Sequence, residues 1–305
     1  MIEKYYSGVI EQIYNRIGKE TRNIVMANYS NDFSIENLEV IRRYQSNEDN
    51  VFFAYSEFSY NTLVGAYEPF LDIICNMHRR FIGGSFDDFQ KKCGVYYLHR
   101  QVLNSYYETG ECFREETVLL NEVAYEQRRM TMAIADMLKK LSEVKPLMIV
   151  INRFQMASKS SIETIKYLID NPCANIGIVL GVNAIVKGTD STVEVWDRIV
   201  ESLEDRSAIY YIGSAGPLKN NVKTTNDDEL YITMYFEQSI QEASNIMEFL
   251  DFEQAKRGCR IIEHKLKFED AWIEEKSLRR FYMVYARTSV LLGEMSKAIE
   301  LTNEY

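Results

Sequence analysis

Proline and glycine are scarce in this sequence. Its 305 residues include only four prolines and 14 glycines, which is below the average usage of globular proteins. Collagen-like and low-complexity classes are therefore excluded, and an architecture of many short strands joined by turns is disfavoured. With 46% apolar residues, a chain of this length can bury a large core, and it is predicted to be globular and rich in helix.

Cysteine and histidine form no pattern typical of a disulfide framework or a metal site. The five cysteines are odd in number and include no C-x-x-C pair, so a reducing cytoplasm is the expected location. The three histidines, His78, His99 and His264, lie far apart without ligand spacing. No metal site is therefore expected, and each histidine is predicted to lie at the surface or to be capped.

Long hydrophobic runs are also missing. The longest apolar stretch, 176–186, is interrupted by Asn183 and is about half as long as a membrane span, and the first residues do not resemble a signal peptide. The net charge of -10 would repel nucleic acid and anionic lipid over most of the surface. Neither direct nucleic-acid binding nor membrane binding is expected.

Buried strand patterns alternate with helical patterns through the first two thirds of the chain. An opening helix with apolar residues every three or four positions ends at Gly18 and is predicted to pack on a sheet. Five short apolar runs, several rich in β-branched residues, predict strands at 23–27, 51–55, 147–151, 176–182 and 208–212. Because helices separate these runs, the sequence predicts an α/β fold with a parallel sheet.

The chain is predicted to consist of two domains. A long helical insertion is expected from about residue 67 to residue 140, with breaks at Gly83-Gly84, Gly94 and near Gly110. A polar linker follows the last strand, and only helical periodicity comes after it. The α/β domain is accordingly placed at 1–225 and an all-α region at 226–305.

The all-α region contains an internal echo. Segments 250–255 and 292–298 both read as the end of a helix, a tight turn and a second helix with an early alanine, Ala255 or Ala298. The pattern resembles tetratricopeptide repeats, although its offset is longer than the usual ~34 residues, and an ordinary helical hairpin remains an alternative. In the last helix, Met295, Ala298, Ile299 and Thr302 are predicted to face inward, and Leu301 and Tyr305 to face a further repeat or a second copy.

The third strand carries the most specific pattern in the chain. It reads PLMIVINRFQMASKSSIETI from Pro146, with a predicted helix cap at Ser160 or Ser161. This stretch resembles the Walker B region of STAND-class signal-transduction ATPases, which are P-loop NTPases related to AAA+ proteins. In that family two acidic residues end the strand, one to hold magnesium and one to orient the attacking water. Their positions match Asn152 and Arg153 here, and Ser158 stands at a third position that is often acidic.

The resemblance also locates a phosphate-binding loop after the first strand. The family motif G-x-x-x-x-G-K-[ST] cradles phosphate with backbone amides and a lysine. In this chain the two glycine positions match Asn28 and Phe33, the lysine matches Ser34 and the hydroxyl residue matches Ile35. A Gly18-Lys19 pair lies before the strand and is more simply explained as a helix end. These four positions, together with Asn152 and Arg153, are therefore vestigial, and no cofactor is expected.

Further similarity extends to about Pro217. Tyr67-Glu-Pro69-Phe70 resembles the start of the family's helical insertion, and Asn183 resembles its polar sensor residue. The resemblance implies that the first strand lies centrally in the sheet beside the third and fourth strands. A generic α/β domain unrelated to nucleotide-binding proteins remains the alternative.

No signature of another catalytic class is present. The chain has no G-x-S-x-G elbow, and its acidic and dibasic pairs are scattered in the manner of solvated helix faces. The resemblance therefore implies a non-catalytic regulatory or scaffold module that binds other proteins or an attached output domain, of DNA-binding or cyclase type by analogy. The alternatives are a nucleotide-binding switch with unorthodox contacts and a small-molecule enzyme on an α/β sheet. Self-association through the C-terminal helices is a further expectation.

Overall fold

The fold comes from a computed structural model, which describes residues 2–29, 38–46, 50–58, 63–115, 118–119, 121–183, 190–206, 208–213, 236–268 and 274–303, without the side chains of 190–196. The chain forms two compact units. The first contains residues 1–59, 67–85 and 131–224, and the second contains residues 60–66, 86–130 and 225–305. The division near residue 225 that the sequence suggests stays a prediction.

Five parallel strands form the sheet of the first unit, as the sequence predicts. They are β1 (Ile24–Tyr29), β2 (Phe52–Glu57), β3 (Leu147–Asn152), β4 (Ile176–Asn183) and β5 (Ile209–Ile212), in the order β2-β3-β4-β1-β5. Every residue of β3 and β4 is buried, which explains why both strands are continuous apolar runs. Among the strands of the described chain, β1 is an interior one.

The expected neighbours of β1 are only half right. β1 pairs with β4 and β5, whereas β3 pairs with β2 and β4. The predicted contact between β1 and β3 is therefore wrong. Its physical reason is that an apolar run reveals burial on both faces but not which other buried strand lies alongside.

Helices cover both faces of this sheet. They are α1 (Ile2–Arg16), α2 (Glu39–Ser46), α3 (Phe70–Met77), α7 (Lys159–Asp170) and α8 (Asp190–Glu204), with a π-helical turn after α3 and the second part of α6 (Val123–Val144). The connection from β1 to β2 runs in the opposite direction to the connection from β4 to β5. Right-handed crossovers then place α2 on the opposite face from α8. Consistently, α1 contacts α2, and α7 contacts α8.

Helix α1 lies unusually close to β4, and a glycine allows this. A β-carbon added at Gly177 would lie 2.9 Å from side-chain atoms of Ile13 and Ile17. The predicted packing of the opening helix on the sheet is thus confirmed, and α1 contacts β1, β4 and β5. Its buried core includes Tyr6, Val9, Ile10 and Ile13.

The second unit is helical in its described residues. It contains α4 (Phe86–Lys92), α5 (Tyr97–Thr109), the first part of α6, α9 (Phe236–Glu248), α10 (Phe252–Phe268), α11 (Glu275–Leu291) and α12 (Met295–Asn303). Along the helical insertion, which begins in the first unit, glycines with positive φ follow the helices at Gly83, Gly84, Gly94 and Gly110. The predicted helical insertion and its breaks are therefore confirmed.

The four C-terminal helices form two hairpins with equivalent turns. Leu250 and Gly293 both have positive φ, at 68° and 79°. The next residue bonds back in the same way in each turn, from Asp251 N to Ile246 O at 3.2 Å and from Glu294 N to Ser289 O at 2.8 Å. Each residue of the second turn lies 43 positions after its counterpart, so the internal echo is a structural repeat. Its tetratricopeptide assignment stays a prediction.

The predicted orientation of the last helix is wrong. Leu301 is fully buried, whereas Met295 and Ile299 are 56% and 57% exposed. Ala298 faces inward as expected, and Tyr305 lies outside the described residues. Ala298 belongs to two overlapping apolar stripes, one with Met295 and Ile299 and one with Leu301, and α12 packs through the second.

Candidate functional site

Polar side chains stand at the carboxyl ends of four neighbouring strands. All strands are parallel, so these ends lie along one edge of the sheet. The connections after β1 and β4 leave in opposite directions, and open α/β sheets bind ligands at such a switch point. The residues described here, called the strand-end cluster, are Tyr29, Glu57, Asn152, Arg153, Gln155 and Asn183.

Asn152 is the buried centre of the strand-end cluster. Its side-chain oxygen accepts a hydrogen bond from the hydroxyl of Tyr29 and another, of 2.9 Å, from the backbone N–H of Arg153. A backbone N–H can only donate, so the amide oxygen must face it and the orientation of the Asn152 amide is settled. The oxygen of Asn152 is thus engaged twice within the protein.

Arg153 does not project freely from the end of β3. Its backbone is left-handed, with φ of 55°, and its guanidinium lies 3.1 Å from a carboxylate oxygen of Glu57. The other oxygen of Glu57 accepts a 2.5 Å hydrogen bond from the hydroxyl of Tyr55. Both carboxylate oxygens at the end of β2 therefore have partners.

Two buried amide groups carry unsatisfied donors. The oxygen of Gln155 accepts a 3.4 Å hydrogen bond from the backbone N–H of Asn183, which directs its nitrogen elsewhere. Within the part of the chain that is described, neither the side-chain nitrogen of Gln155 nor that of Asn152 has an acceptor. Buried donors without acceptors are costly, so this edge of the sheet could hold a ligand or a water with acceptor atoms.

Helix α1 closes one side of the cluster through Tyr6. The rings of Tyr6 and Tyr29 meet edge to face at 6.1 Å, and a β-carbon added at Gly181 would collide with the Tyr6 hydroxyl. Burial, together with Tyr29, raises the pKa of Tyr6 well above its ordinary value. Tyr6 is therefore a neutral group at neutral pH.

The beginning of α7 anchors the segment before α3. Ser158 is the N-cap of α7, and its hydroxyl accepts from the backbone N–H of Ser161, so the predicted cap at Ser160 or Ser161 is wrong. The hydroxyls of Ser160 and Ser161 instead bond to the segment before α3. The Ser160 hydroxyl accepts a 2.9 Å bond from Tyr67 N–H, and the Ser161 hydroxyl donates a 2.6 Å bond to the carbonyl of Glu68.

The vestigial phosphate-loop positions have different outcomes. Asn28 lies within β1, opposite Val182 of β4 and fully buried, so it belongs to a strand and not to a loop. Phe33, Ser34 and Ile35 lie outside the described residues. Of the residues that the resemblance singles out, the structure thus places Asn152, Arg153 and Asn183 in the strand-end cluster.

Several residues of the cluster were not predicted from the sequence. Tyr29 and Gln155 belong to a strand and a turn, and Tyr6, which closes one side of the cluster, belongs to a helix; the three share no motif. Glu57 could have been found, because a polar residue at the end of a predicted parallel strand lies at the edge where ligands bind.

The histidines are more buried than predicted. His78 and His99 have 0% and 1% of their surface exposed, so of the two predicted placements, at the surface or capped, the surface is wrong for both. His99 Nε2 lies 2.8 Å from a carboxylate oxygen of Glu126 within the second unit. No group of three potential metal ligands occurs among the described residues. Of the helices in the same residues, none is both long enough and apolar enough to cross a membrane.

A cleft of about 210 Å³ opens at the opposite, amino-terminal edge of the sheet. Two of its arginines already face acidic groups, since Arg16 lies 3.6 Å from Glu20 and Arg206 lies 3.9 Å from Asp170. Two of the three arginines that line the cleft therefore have acidic partners within the protein, and the strand-end cluster is the stronger candidate site.

No protein-family model matches the chain, and no curated protein matches it.

Proposed function

We propose that this chain is a regulatory or scaffold module that binds other proteins and does not hydrolyse nucleotides, built on a P-loop-NTPase-like sheet of the STAND class. The proposal rests on the hydrogen bonds that the side chain of Asn152 makes at the end of β3. The residue stands where the resembling family places its magnesium-binding acid, and its only side-chain oxygen is held by Tyr29 and Arg153.

The neighbouring charges support the same conclusion. Phosphoryl transfer needs a metal to neutralise charge and a group that positions the attacking water. Arg153, at the position of the second acid, is cationic and pairs with Glu57. Glu57, the carboxylate of the strand-end cluster, is bonded through both of its oxygens. Among the described residues of the strand-end cluster, the carboxylate therefore already has a protein partner on each oxygen, which disfavours its use as a magnesium ligand.

The sheet agrees with the family resemblance in the interior position and direction of β1, although not in its expected contact with β3. Strand β1 is interior and runs parallel to β3, whereas an edge position or an antiparallel arrangement would have argued against a P-loop relationship. The repeated hairpins support the scaffold part of the proposal, because stacked helical repeats commonly present extended protein-binding surfaces.

Nucleotide assays test the absence of hydrolysis. With ATP and magnesium, we expect phosphate release equal to that of a protein-free blank, and calorimetry should detect no ATP binding tighter than about millimolar. Asn152→Ala should leave both results unchanged, as should the matched surface variant Asn171→Ala. Micromolar ATP affinity, or hydrolysis that Asn152→Ala abolishes and Asn171→Ala does not, would contradict the proposal in favour of a nucleotide-binding switch.

A second candidate function is the binding of a small acceptor-rich molecule at the strand-end cluster. It is favoured by the two buried amide nitrogens of Asn152 and Gln155 that have no acceptor within the described residues. A thermal-shift screen of carboxylates, phosphates and nucleosides would test it. A stabilising compound should lose its effect in Gln155→Leu and keep it in the exposed control Gln238→Leu, and a screen without any stabilising compound would count against this candidate.

A further inference from the structure

The cleft at the amino-terminal edge of the sheet lies wholly within the first unit. It is bordered by the beginnings of β1 and β5 and by the ends of α1, α7 and α8. Its volume of about 210 Å³ is more than ten times the roughly 15 Å³ that one water needs. The cleft therefore has room for a small organic molecule.

Asn23 supplies an unused acceptor to this cleft. The residue lines the cleft and is fully buried. Its side-chain nitrogen donates to the carbonyl of Glu20 at 2.6 Å and to that of Ala174 at 3.2 Å. Because carbonyls only accept, both amide hydrogens are used and the orientation of the amide is settled. The side-chain oxygen has no donor among the described residues, which favours a bound N–H or O–H group.

Arg22 adds a positive charge without an acidic partner. It lines the cleft, is exposed, and forms no ion pair within the part of the chain that the structure describes. Arg16 also lines the cleft and lies 3.6 Å from Glu20, which is longer than a hydrogen bond between a guanidinium and a carboxylate. The donors of Arg16 are therefore available to a second acceptor. Together the two guanidinium groups favour an anion, even though the whole chain has a net charge of -10.

Arg206 has a structural role at the same cleft. Its guanidinium donates to the carbonyl of Ile169 near the end of α7 and lies 3.9 Å from Asp170. Asp170 also lies 2.8 Å from Lys166, so two cations share its carboxylate. The partial negative charge at the end of α7 is thus offset by groups of the protein itself, and the charge of Arg22 is left in excess.

Apolar side chains complete the lining. They come from β1, from α7 and the turn after it, and from α8, and they are Val25, Leu168, Ile169, Pro172 and Leu203. Ligand sites typically combine an apolar lining with a few polar groups that fix the orientation of the ligand. An apolar ring that carries both a donor and an acid group matches the three kinds of group in this lining.

We propose that this cleft is a second binding site, separate from the strand-end cluster, for a small organic anion that carries an N–H donor on an apolar ring. The donor bonds the side-chain oxygen of Asn23, and the ring packs against the apolar lining. The acid group, a carboxylate or a phosphate, binds Arg22 and Arg16, because guanidinium groups bind both acids through paired hydrogen bonds. The inference does not depend on the proposed function, which concerns the opposite edge of the sheet.

Calorimetric titration of the full chain with indole-3-acetate tests the site, because this probe has one N–H, an apolar ring and a carboxylate. We expect saturable binding at a single site with a Kd of about 1 mM or tighter. Indoxyl phosphate is the phosphate-bearing counterpart, and the tighter of the two probes identifies the acid that the cleft prefers. Two probes that each lack one feature, 1-methylindole-3-acetate and indole-3-acetamide, should bind at least about tenfold more weakly than indole-3-acetate.

Matched variants locate the bound probe. Arg16→Gln with Arg22→Gln should weaken the binding of indole-3-acetate at least about tenfold, and circular dichroism should show an unchanged fold because neither side chain is buried. The control Arg128→Gln removes an exposed arginine of the second unit and should leave the affinity unchanged. Removing the N–H from the probe avoids replacing Asn23, whose hydrogen bonds hold the segment before β1.

Three results would overturn the proposal. The first is that neither indole-3-acetate nor indoxyl phosphate binds at concentrations up to about 10 mM. The second is that 1-methylindole-3-acetate binds as tightly as indole-3-acetate, which would show that the donor is not used. The third is that binding persists undiminished in the double arginine variant, which would place the probe elsewhere on the protein.

Discussion

Replacing Gly181 by alanine probes the contact between helix α1 and the strand-end cluster. The added β-carbon would meet the Tyr6 hydroxyl at less than a contact distance, and it would lie 3.0 Å from the side-chain oxygen of Asn152 and 3.3 Å from the carbonyl of Ile151. Overpacking of a dense core costs about 1–3 kcal/mol. We expect Gly181→Ala to lower stability by about 2 kcal/mol, near the middle of that range. The Tyr6 side chain can shift away from the added carbon, whereas the carbonyl of Ile151 belongs to the backbone and cannot.

Removing the Tyr6 hydroxyl should relieve part of this loss. Tyr6→Phe alone should cost about 1 kcal/mol or less, the usual net value of a buried polar contact. In combination with Gly181→Ala it removes the closest clash, so the double variant should be more stable than additivity predicts by about 1 kcal/mol. Relief stays partial because the Ile151 carbonyl cannot move away.

Gly177→Ala provides a matched control on the same strand and face. Its β-carbon would lie 2.9 Å from side-chain atoms of Ile13 and Ile17, and Tyr6 is not among its nearest neighbours. The substitution should destabilise the first unit, but its effect should add to that of Tyr6→Phe.

Urea unfolding followed by tryptophan fluorescence measures these free energies. The chain has two tryptophans, so a Trp272→Phe background leaves Trp196, in α8 of the first unit, as the reporter. Gly181→Ala without loss of stability would refute the close packing of α1 on β4. Strict additivity of Gly181→Ala and Tyr6→Phe would show that the hydroxyl is not the group that alanine meets.

Four further substitutions test burial. Burial lowers the pKa of His99 to about 4, so below about pH 6.5 the unfolded state binds the proton first and the free energy of unfolding falls as pH falls toward 4. His99→Gln should reduce that fall by about 1 kcal/mol per pH unit in urea titrations at pH 7 and pH 5. Equal pH slopes in the two proteins would exclude a shifted pKa at His99. In the same assay, Leu301→Glu should lower the free energy of unfolding by about 3 kcal/mol. Ile299→Glu, at about micromolar concentration, should lower it by less than about 0.5 kcal/mol. A larger loss for Ile299→Glu than for Leu301→Glu would support the orientation of α12 predicted from the sequence. Val150→Asp buries a charge in a fully enclosed strand and should prevent folding of the sheet, seen as loss of the near-ultraviolet dichroism.

The strands and the main helices could be read from local patterns. The run Leu147 to Ile151 is continuous because both faces of β3 are covered. The glycines at 94 and 110 mark helix ends because they adopt positive φ without steric cost. The repeat of the C-terminal turns was also visible, since the alanines at 255 and 298 are close-packed in both copies.

The candidate site could be predicted only in part. Asn152 and Arg153 were located by the resemblance of their segment to a Walker B region. Their partners were not, because Tyr29, Glu57 and Gln155 come from segments far apart in sequence. A hydrogen bond between residues 29 and 152 depends on the strand order, which no local pattern encodes.

Local chemistry thus accounts for which segments of this chain become helices and strands, because backbone geometry and burial set the period of the apolar residues. Strand neighbours, the face that α12 buries and the pairing of Arg153 with Glu57 depend instead on how those elements come together. An interior strand has the same apolar pattern beside any other interior strand, and α12 offers two apolar stripes that both satisfy helical spacing. The choice between them is made by contacts between distant residues, and those contacts exist only in the folded chain.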